Sequence, residues 1–134
     1  MRLSAMIAVL FVAFSAVSPR AQDAAMVSMN TADDSRGWDA VGKLTLGRHG
    51  FCTGALIGPQ LVLTAAHCLY DKHTGVQMRP EDIQFQAGWR NGRAVAYRSV
   101  TRAATHPAYR FGGSDKLERV TADLALLELS QPIR

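Results

Sequence analysis

The sequence contains a histidine and an aspartate whose surroundings suit them to act as a pair in acid–base chemistry. His67 lies in the run Leu-Thr-Ala-Ala-His-Cys at residues 63–68, and Asp123 opens the run Asp-Leu-Ala-Leu-Leu at 123–127. An imidazole can take a proton from a hydroxyl group, and a carboxylate beside it can accept the Nδ1 proton, fix the tautomer and stabilise the imidazolium. The two residues would therefore supply a general base and the group that orients it.

Each residue also has an ordinary structural interpretation. His67 could be a surface residue near a strand end, and Asp123 could cap the start of a buried strand. Two alanines before His67 favour chemistry because they leave the imidazole uncrowded, and Cys68 could hold the following turn by a disulfide. A zinc site built from His67, Cys68 and His73 is the other alternative, but it lacks paired C-x-x-C or H-x-x-x-H spacing.

Short apolar runs separated by Gly, Pro and Asn predict the elements that must position these residues. We predict strands at 40–46, 51–57, 61–64, 83–87, 94–105 and 124–129, with loops at 71–82 and 106–121 and no long helix. Asn91-Gly92 predicts a two-residue hairpin turn between strands. Six short strands in this length predict an all-β fold, an antiparallel barrel or sandwich.

The first residues are predicted to be a secretory signal peptide and not part of the fold. Arg2 precedes an uncharged apolar stretch at 3–17, which is too short to cross a membrane comfortably. We place the cleavage site after Ala21, with Ser18 and Ala24 as alternatives. An uncleaved membrane anchor is the competing interpretation. The predicted location is therefore secreted or periplasmic, with no membrane association after cleavage.

Removal of residues 1–21 would leave 113 residues. We predict that residues 22–37, which hold few large apolar side chains, are a pro-segment or linker and that 38–134 form one small domain. Loss of Arg2 and Arg20 lowers the formal net charge from +4 to +2.

The mature chain carries a group of arginines, which raises the question of whether it binds nucleic acid. Aromatic residues lie near them in sequence, as a single-strand binding surface requires. The export signal and the small net charge favour a solvated arginine-rich face, so no nucleic-acid partner is expected. The arginines are Arg90, Arg93, Arg98, Arg102 and Arg110.

The only two cysteines, Cys52 and Cys68, both lie in the predicted exported part. Export to an oxidising compartment predicts that they form a disulfide. The bond would close a loop of about 15 residues, for which chain entropy gives roughly 3 kcal/mol of stabilisation.

Three segments together resemble the first half of a trypsin-like serine protease of the chymotrypsin fold, in particular its secreted bacterial members. They are Phe-Cys-Thr-Gly-Ala-Leu-Ile at 51–57, Leu-Val-Leu-Thr-Ala-Ala-His-Cys at 61–68 and Asp-Leu-Ala-Leu-Leu-Glu-Leu at 123–129. The resemblance extends over about 41–133. It implies two six-stranded antiparallel β-barrels with the catalytic residues between them, and the six predicted strands would make the first barrel.

By that resemblance His67 is the general base, Asp123 is its partner, and the Cys52–Cys68 disulfide braces the turn that carries the histidine. The substrate would be a protein or peptide, and no cofactor or metal is implied. The family nucleophile lies in a Gly-Asp-Ser-Gly-Gly type segment of the second barrel, which also supplies the oxyanion hole and the primary specificity pocket. Ser114 is only superficially similar, since it lacks the following glycines and lies between His67 and Asp123.

The sequence thus predicts a secreted serine endopeptidase that is represented by its N-terminal barrel. It has the histidine and aspartate of the triad but no nucleophilic serine, the C-terminal barrel is missing, and the 134-residue chain alone is expected to be inactive. A truncated gene model or fragment explains this best. The alternative is a non-catalytic secreted pseudoprotease that acts as a binding module. Coding sequence that continues past Arg134 into a Gly-x-Ser-Gly-Gly segment would favour the enzyme.

Overall fold

The computed structural model describes residues 28–31, 33–48, 50–112 and 116–134. The signal peptide predicted at 1–21 and Ser114 lie outside the described residues. The strands are β1 (Val41–Leu46), β2 (Phe51–Gly58), β3 (Leu61–Thr64), β4 (Ile83–Ala87), β5 (Ala96–Thr105) and β6 (Ala125–Leu129). Two 3₁₀ turns (Ala66–Leu69 and Pro80–Asp82) and one short helix, α1 (Lys116–Thr121), complete the set of elements.

The six strands close into an antiparallel barrel in the order β1-β2-β3-β6-β5-β4, with β4 returning to pair with β1. Strand β6 therefore lies between β3 and β5, although it is the last strand in the chain. The predicted all-β fold and six-stranded barrel are confirmed. Predicted and observed bounds agree to the residue for β3 and β4, and the other strands differ by one or two residues at an end.

The predicted hairpin at Asn91-Gly92 is also confirmed. Arg90 and Arg93 exchange both backbone hydrogen bonds, at 2.7 and 2.9 Å. Asn91 and Gly92 both have positive φ, 47° and 82°, as a type I′ turn requires. Strand β5 consequently begins two residues later than predicted, because Ala94 and Val95 still belong to the exit from this turn.

Helix α1 was not predicted, because the segment 106–121 has the composition of a loop. The helix has six residues, and its apolar side chains Leu117 and Val120 are 73% and 74% exposed. It therefore buries no apolar stripe of the kind that helical periodicity detects. No helix among the described residues is long and apolar enough to cross a membrane.

Alternate side chains of the strands point into the barrel and form its core. Phe85 is the largest of the fully buried side chains, and Leu44, Ile83 and Leu127 are buried with it. Gly42 makes room for the Phe85 ring, because a Cβ atom there would lie 2.5 Å from Phe85 Cε2 and 2.5 Å from the carbonyl oxygen of Gln86. The close-packed interior thus accommodates a large ring beside a residue without a side chain.

The residues before β1 lie against the β4–β5 hairpin. Arg90 donates from Nη1 to Ser35 Oγ at 3.2 Å and from Nη2 to the Met29 carbonyl at 3.3 Å. Hydrogen bonding to Thr31 lowers the pKa of the exposed Asp34 carboxyl, and Arg90 adds a smaller effect in the same direction. Arg90 therefore fixes the described part of the segment predicted as a pro-segment or linker to the barrel.

Candidate active site

Two neighbouring strands bring His67 and Asp123 together. His67 lies in the 3₁₀ turn Ala66–Leu69 that follows β3, and Asp123 precedes β6 by two residues. Since β3 and β6 pair in antiparallel register with Thr64 opposite Ala125, the end of one strand lies beside the start of the other. The Thr64 hydroxyl donates to the Thr53 carbonyl oxygen at 2.8 Å and fixes the end of β3 to β2.

Both carboxylate oxygens of Asp123 bind His67. The His67 backbone N–H donates to Oδ1 at 2.8 Å, and the ring Nδ1 lies 2.6 Å from Oδ2. An ionised carboxylate can only accept, so we place the proton on Nδ1, which leaves the lone pair of the imidazole on Nε2. The Asp123 side chain is 23% exposed and that of His67 is 59% exposed. The carboxylate is thus largely shielded, while the imidazole stays accessible.

The disulfide between Cys52 and Cys68 is present, as predicted from the sequence. It joins β2 to the 3₁₀ turn of His67, with the two Cα atoms 6.2 Å apart. The ligand atoms of Cys52, His67 and Cys68 lie within 4.8 Å of one another, which is close enough for a shared metal ion. Zinc binds cysteine as thiolate, and sulfur atoms bonded to each other offer none. The zinc site considered from the sequence therefore loses Cys68 as a ligand.

Removing the disulfide is expected to lower the free energy of unfolding by about 3 kcal/mol, because the unfolded chain regains the freedom of a loop of roughly 15 residues. The variant is Cys52→Ala with Cys68→Ala, compared with the unaltered chain by urea denaturation. A reducing agent should destabilise the unaltered chain but leave the double variant unchanged. Equal stability of the two proteins under oxidising conditions would contradict the prediction.

Two recesses flank His67. The first, here called the disulfide-side recess, has a volume of about 510 Å³ and lies over the Cys52–Cys68 bond, with Phe51 and Tyr70 in its walls. The second, the aromatic recess, has a volume of about 580 Å³ and is lined by Tyr109, Phe111 and Asp123 among others. The described residues that line these recesses include no serine.

Tyr70 connects the walls of the two recesses. Its ring stacks on Phe111 with the centroids 5.2 Å apart and lies 5.7 Å from the ring of Tyr109. Sequence analysis did not single out these aromatic residues, because Tyr109 and Phe111 lie in a segment predicted to be a loop. For Tyr70 alone the sequence held a signal: it lies two residues after Cys68 and hence close to His67 in the chain.

The sequence model of the Trypsin family matches residues 26–134. A trypsin of Phaedon cochleariae is 35% identical over 86 residues, which cover 63% of this chain and 30% of the relative. A glutamyl endopeptidase of Bacillus licheniformis is 36% identical over 86 residues, which cover 63% of this chain and 24% of the relative. The chain thus spans less than a third of the length of these two proteins.

The barrel is also similar to a solved structure of a Glu endopeptidase in complex with MPD. The TM-score is 0.59 and the sequence identity 22%, over 75% of this chain and 44% of that one. This likeness concerns the fold, whereas the family match covers most of the sequence, including both segments that carry His67 and Asp123. The chain belongs to the trypsin family of serine proteases.

Proposed function

We propose that this chain is the N-terminal barrel of a secreted serine endopeptidase in which His67 is the general base and Asp123 orients it. The observation that carries the proposal is the double contact of Asp123, which accepts from the backbone N–H of His67 and from its ring Nδ1. A structural cap would need only the backbone bond. The second bond, at 2.6 Å, sets the tautomer that base catalysis requires.

In the proposed reaction His67 Nε2 takes the proton of a serine hydroxyl as the serine oxygen attacks the carbonyl carbon of a peptide bond. The imidazolium then gives this proton to the departing amine nitrogen as the C–N bond breaks. Asp123 stays ionised and stabilises the imidazolium between the two transfers. Water hydrolyses the acyl-enzyme by the same two proton transfers and restores the serine.

We further propose that sequence beyond Arg134 supplies the serine and the donors for the developing oxyanion, as a second barrel. The lengths of the two curated relatives support this, since the chain covers 30% and 24% of them. Exposed apolar side chains on β3 and just before and within β6, namely Leu61, Leu124 and Leu126, also support it. Such a surface beside Asp123 is suited to pack against further protein.

Export through the predicted signal peptide at 1–21 belongs to the same proposal. The Cys52–Cys68 disulfide supports it, because structural disulfides persist in oxidising compartments and are rare in the cytosol. On this basis the enzyme acts outside the cytoplasm on protein or peptide substrates, needs no cofactor, and has neither nucleic acid nor membrane as a partner once the signal peptide is removed.

A serine-directed fluorophosphonate probe tests the proposal. The 134-residue chain should remain unlabelled, because a general base without a nucleophile and an oxyanion hole leaves the probe unreacted. The protein extended by its downstream coding sequence should label at one serine. His67→Ala should abolish that labelling, whereas the matched control His106→Ala should retain it.

Two results would contradict the proposal. Stoichiometric labelling of the 134-residue chain that disappears in His67→Ala would reveal a nucleophile within the chain, with Ser114 the first residue to test. An extended protein that folds but does not label would instead favour the non-catalytic binding module.

A further inference from the structure

The disulfide-side recess carries basic side chains that have no acidic partner within the described part of the chain. Arg48, Lys72 and His73 contribute to its lining, and neither Arg48 nor Lys72 takes part in an ion pair among the described residues. Elsewhere on the surface, Arg79 pairs with Asp82 and Arg102 pairs with Glu128. The arginine and lysine beside His67 therefore keep their charge available for a ligand.

The two carboxylates among the described residues that line the recesses beside His67 are already engaged. Asp71 also lines the recess, but its Oδ1 accepts the backbone N–H groups of His73 and Thr74, each at 2.8 Å. Asp123 holds His67 with both oxygens. Among the residues that line the recess, Arg48 and Lys72 carry two positive charges and Asp71 carries one negative charge, and the carboxylate of Asp123 lies outside this lining. The lining therefore favours an anionic group.

The recess also offers apolar surface beside its charged groups. Its lining includes the disulfide, Phe51 and Met78, and its volume of about 510 Å³ lies within the range of about 300–1,000 Å³ that is usual for ligand sites. A glutamate or aspartate side chain has both parts that such a surface can bind, methylene carbon and a terminal carboxylate. A neutral or basic side chain would leave the cations without a partner.

We propose that the disulfide-side recess binds an acidic residue of the substrate, on the side of the scissile bond that faces the Cys52–Cys68 disulfide. The inference rests on the proposed function, since His67 marks the place of the scissile bond. The aromatic recess shares His67 and Lys72 with the disulfide-side recess, but its lining also holds the carboxylate of Asp123 and the apolar side chains of Tyr109, Phe111 and Val120. A peptide that lies across His67 therefore meets a basic surface on one side and a mainly apolar one on the other.

Binding of two matched peptides to the chain tests this inference without any need for cleavage. The probes are acetyl-Ala-Ala-Glu-Glu-Ala-Ala-amide and the same hexapeptide with two glutamines. In an NMR titration at low salt, the amide signals of Cys68 and Lys72 should shift. The acidic peptide should bind about fivefold more tightly, as two ion pairs to the exposed Arg48 and Lys72 allow. About 0.5 M salt should remove most of this difference.

Variants test whether the preference for the acidic peptide comes from the basic residues of the recess. The double variant Arg48→Gln with Lys72→Gln should bind both peptides equally. Arg93→Gln, which removes a charge from the β4–β5 hairpin outside the recess, should keep the preference. Equal binding of the two peptides to the unaltered chain would overturn the inference. A preference for the acidic peptide that survives in the double variant would also overturn it. So would a failure of both peptides to bind at millimolar concentration.

The two proposals fail in different experiments. If the extended protein reacts with the fluorophosphonate but the chain shows no acidic preference, the inference about the recess is wrong and the proposed function stands. If the acidic preference is present and depends on Arg48 and Lys72 while the extended protein does not react, the catalytic role of His67 is wrong.

Discussion

We expect Asp123→Asn to lower kcat/KM for peptide hydrolysis by about 10⁴-fold in the proposed extended protein that supplies the serine. The asparagine oxygen can still accept the His67 backbone N–H, which Asp123 Oδ1 accepts at 2.8 Å. Its NH₂ group then faces Nδ1, so the ring proton moves to Nε2, which can no longer accept from the serine. The measurement is kcat/KM on a peptide substrate, together with Tm by circular dichroism, which should change little.

The control is Asp82→Asn, which removes a carboxylate from the surface pair with Arg79. We expect its kcat/KM to stay within about twofold of the unaltered protein, because the pair is exposed and distant in sequence from the site. A loss below about tenfold in Asp123→Asn would mean that the carboxylate does not set the tautomer of the base.

Phe85→Ala is expected to lower the free energy of unfolding by about 3–5 kcal/mol. The ring is fully buried in the barrel and fills the space beside Gly42, so its removal leaves a cavity that the closed sheet cannot easily collapse. Urea denaturation of the chain measures the change. Should the variant not fold, Phe85→Leu keeps most of the volume and should lose about 1–2 kcal/mol.

Phe51→Ala is the matched control, since it removes the same side chain from a site that is 70% exposed. Its ring lies 5.0 Å from Lys43 Nζ, an exposed cation–π contact that is worth about 0.5–1 kcal/mol. We expect a loss of no more than about 1 kcal/mol. If both variants lost a comparable free energy of unfolding, the burial of Phe85 and the exposure of Phe51 would be contradicted.

The sequence was sufficient to predict the strands, because the signals for them are local. The alternation of apolar and polar residues in Ile-Gln-Phe-Gln-Ala at 83–87 and the turn residues at 91–92 predict β4 and the start of β5 within a few residues. The contact of His67 with Asp123 spans 56 positions, and no periodicity predicts it. The chemistry of the two side chains made the pairing one of several interpretations, and the resemblance of their segments to one protein family singled it out.

The two recesses could not be predicted, since their walls come from residues far apart in the chain. Arg48 precedes β2, whereas Lys72 follows the histidine turn, and the barrel places both at one cavity. Tyr70 meets Phe111 across 41 positions through a segment that carries no strong structural signal. Such contacts depend on strand order, and the insertion of β6 between β3 and β5 is a long-range property of the fold.

The strand order also decides when the acid–base pair can form during folding. Without β6, the other five strands still make one continuous open sheet, β3-β2-β1-β4-β5. Strand β6 covers both free edges of that sheet, and Asp123 precedes it by two residues. Until β6 is paired, the imidazole of His67 therefore has no orienting carboxylate from Asp123. Closure of the barrel and the contact between His67 and Asp123 thus depend on the same strand.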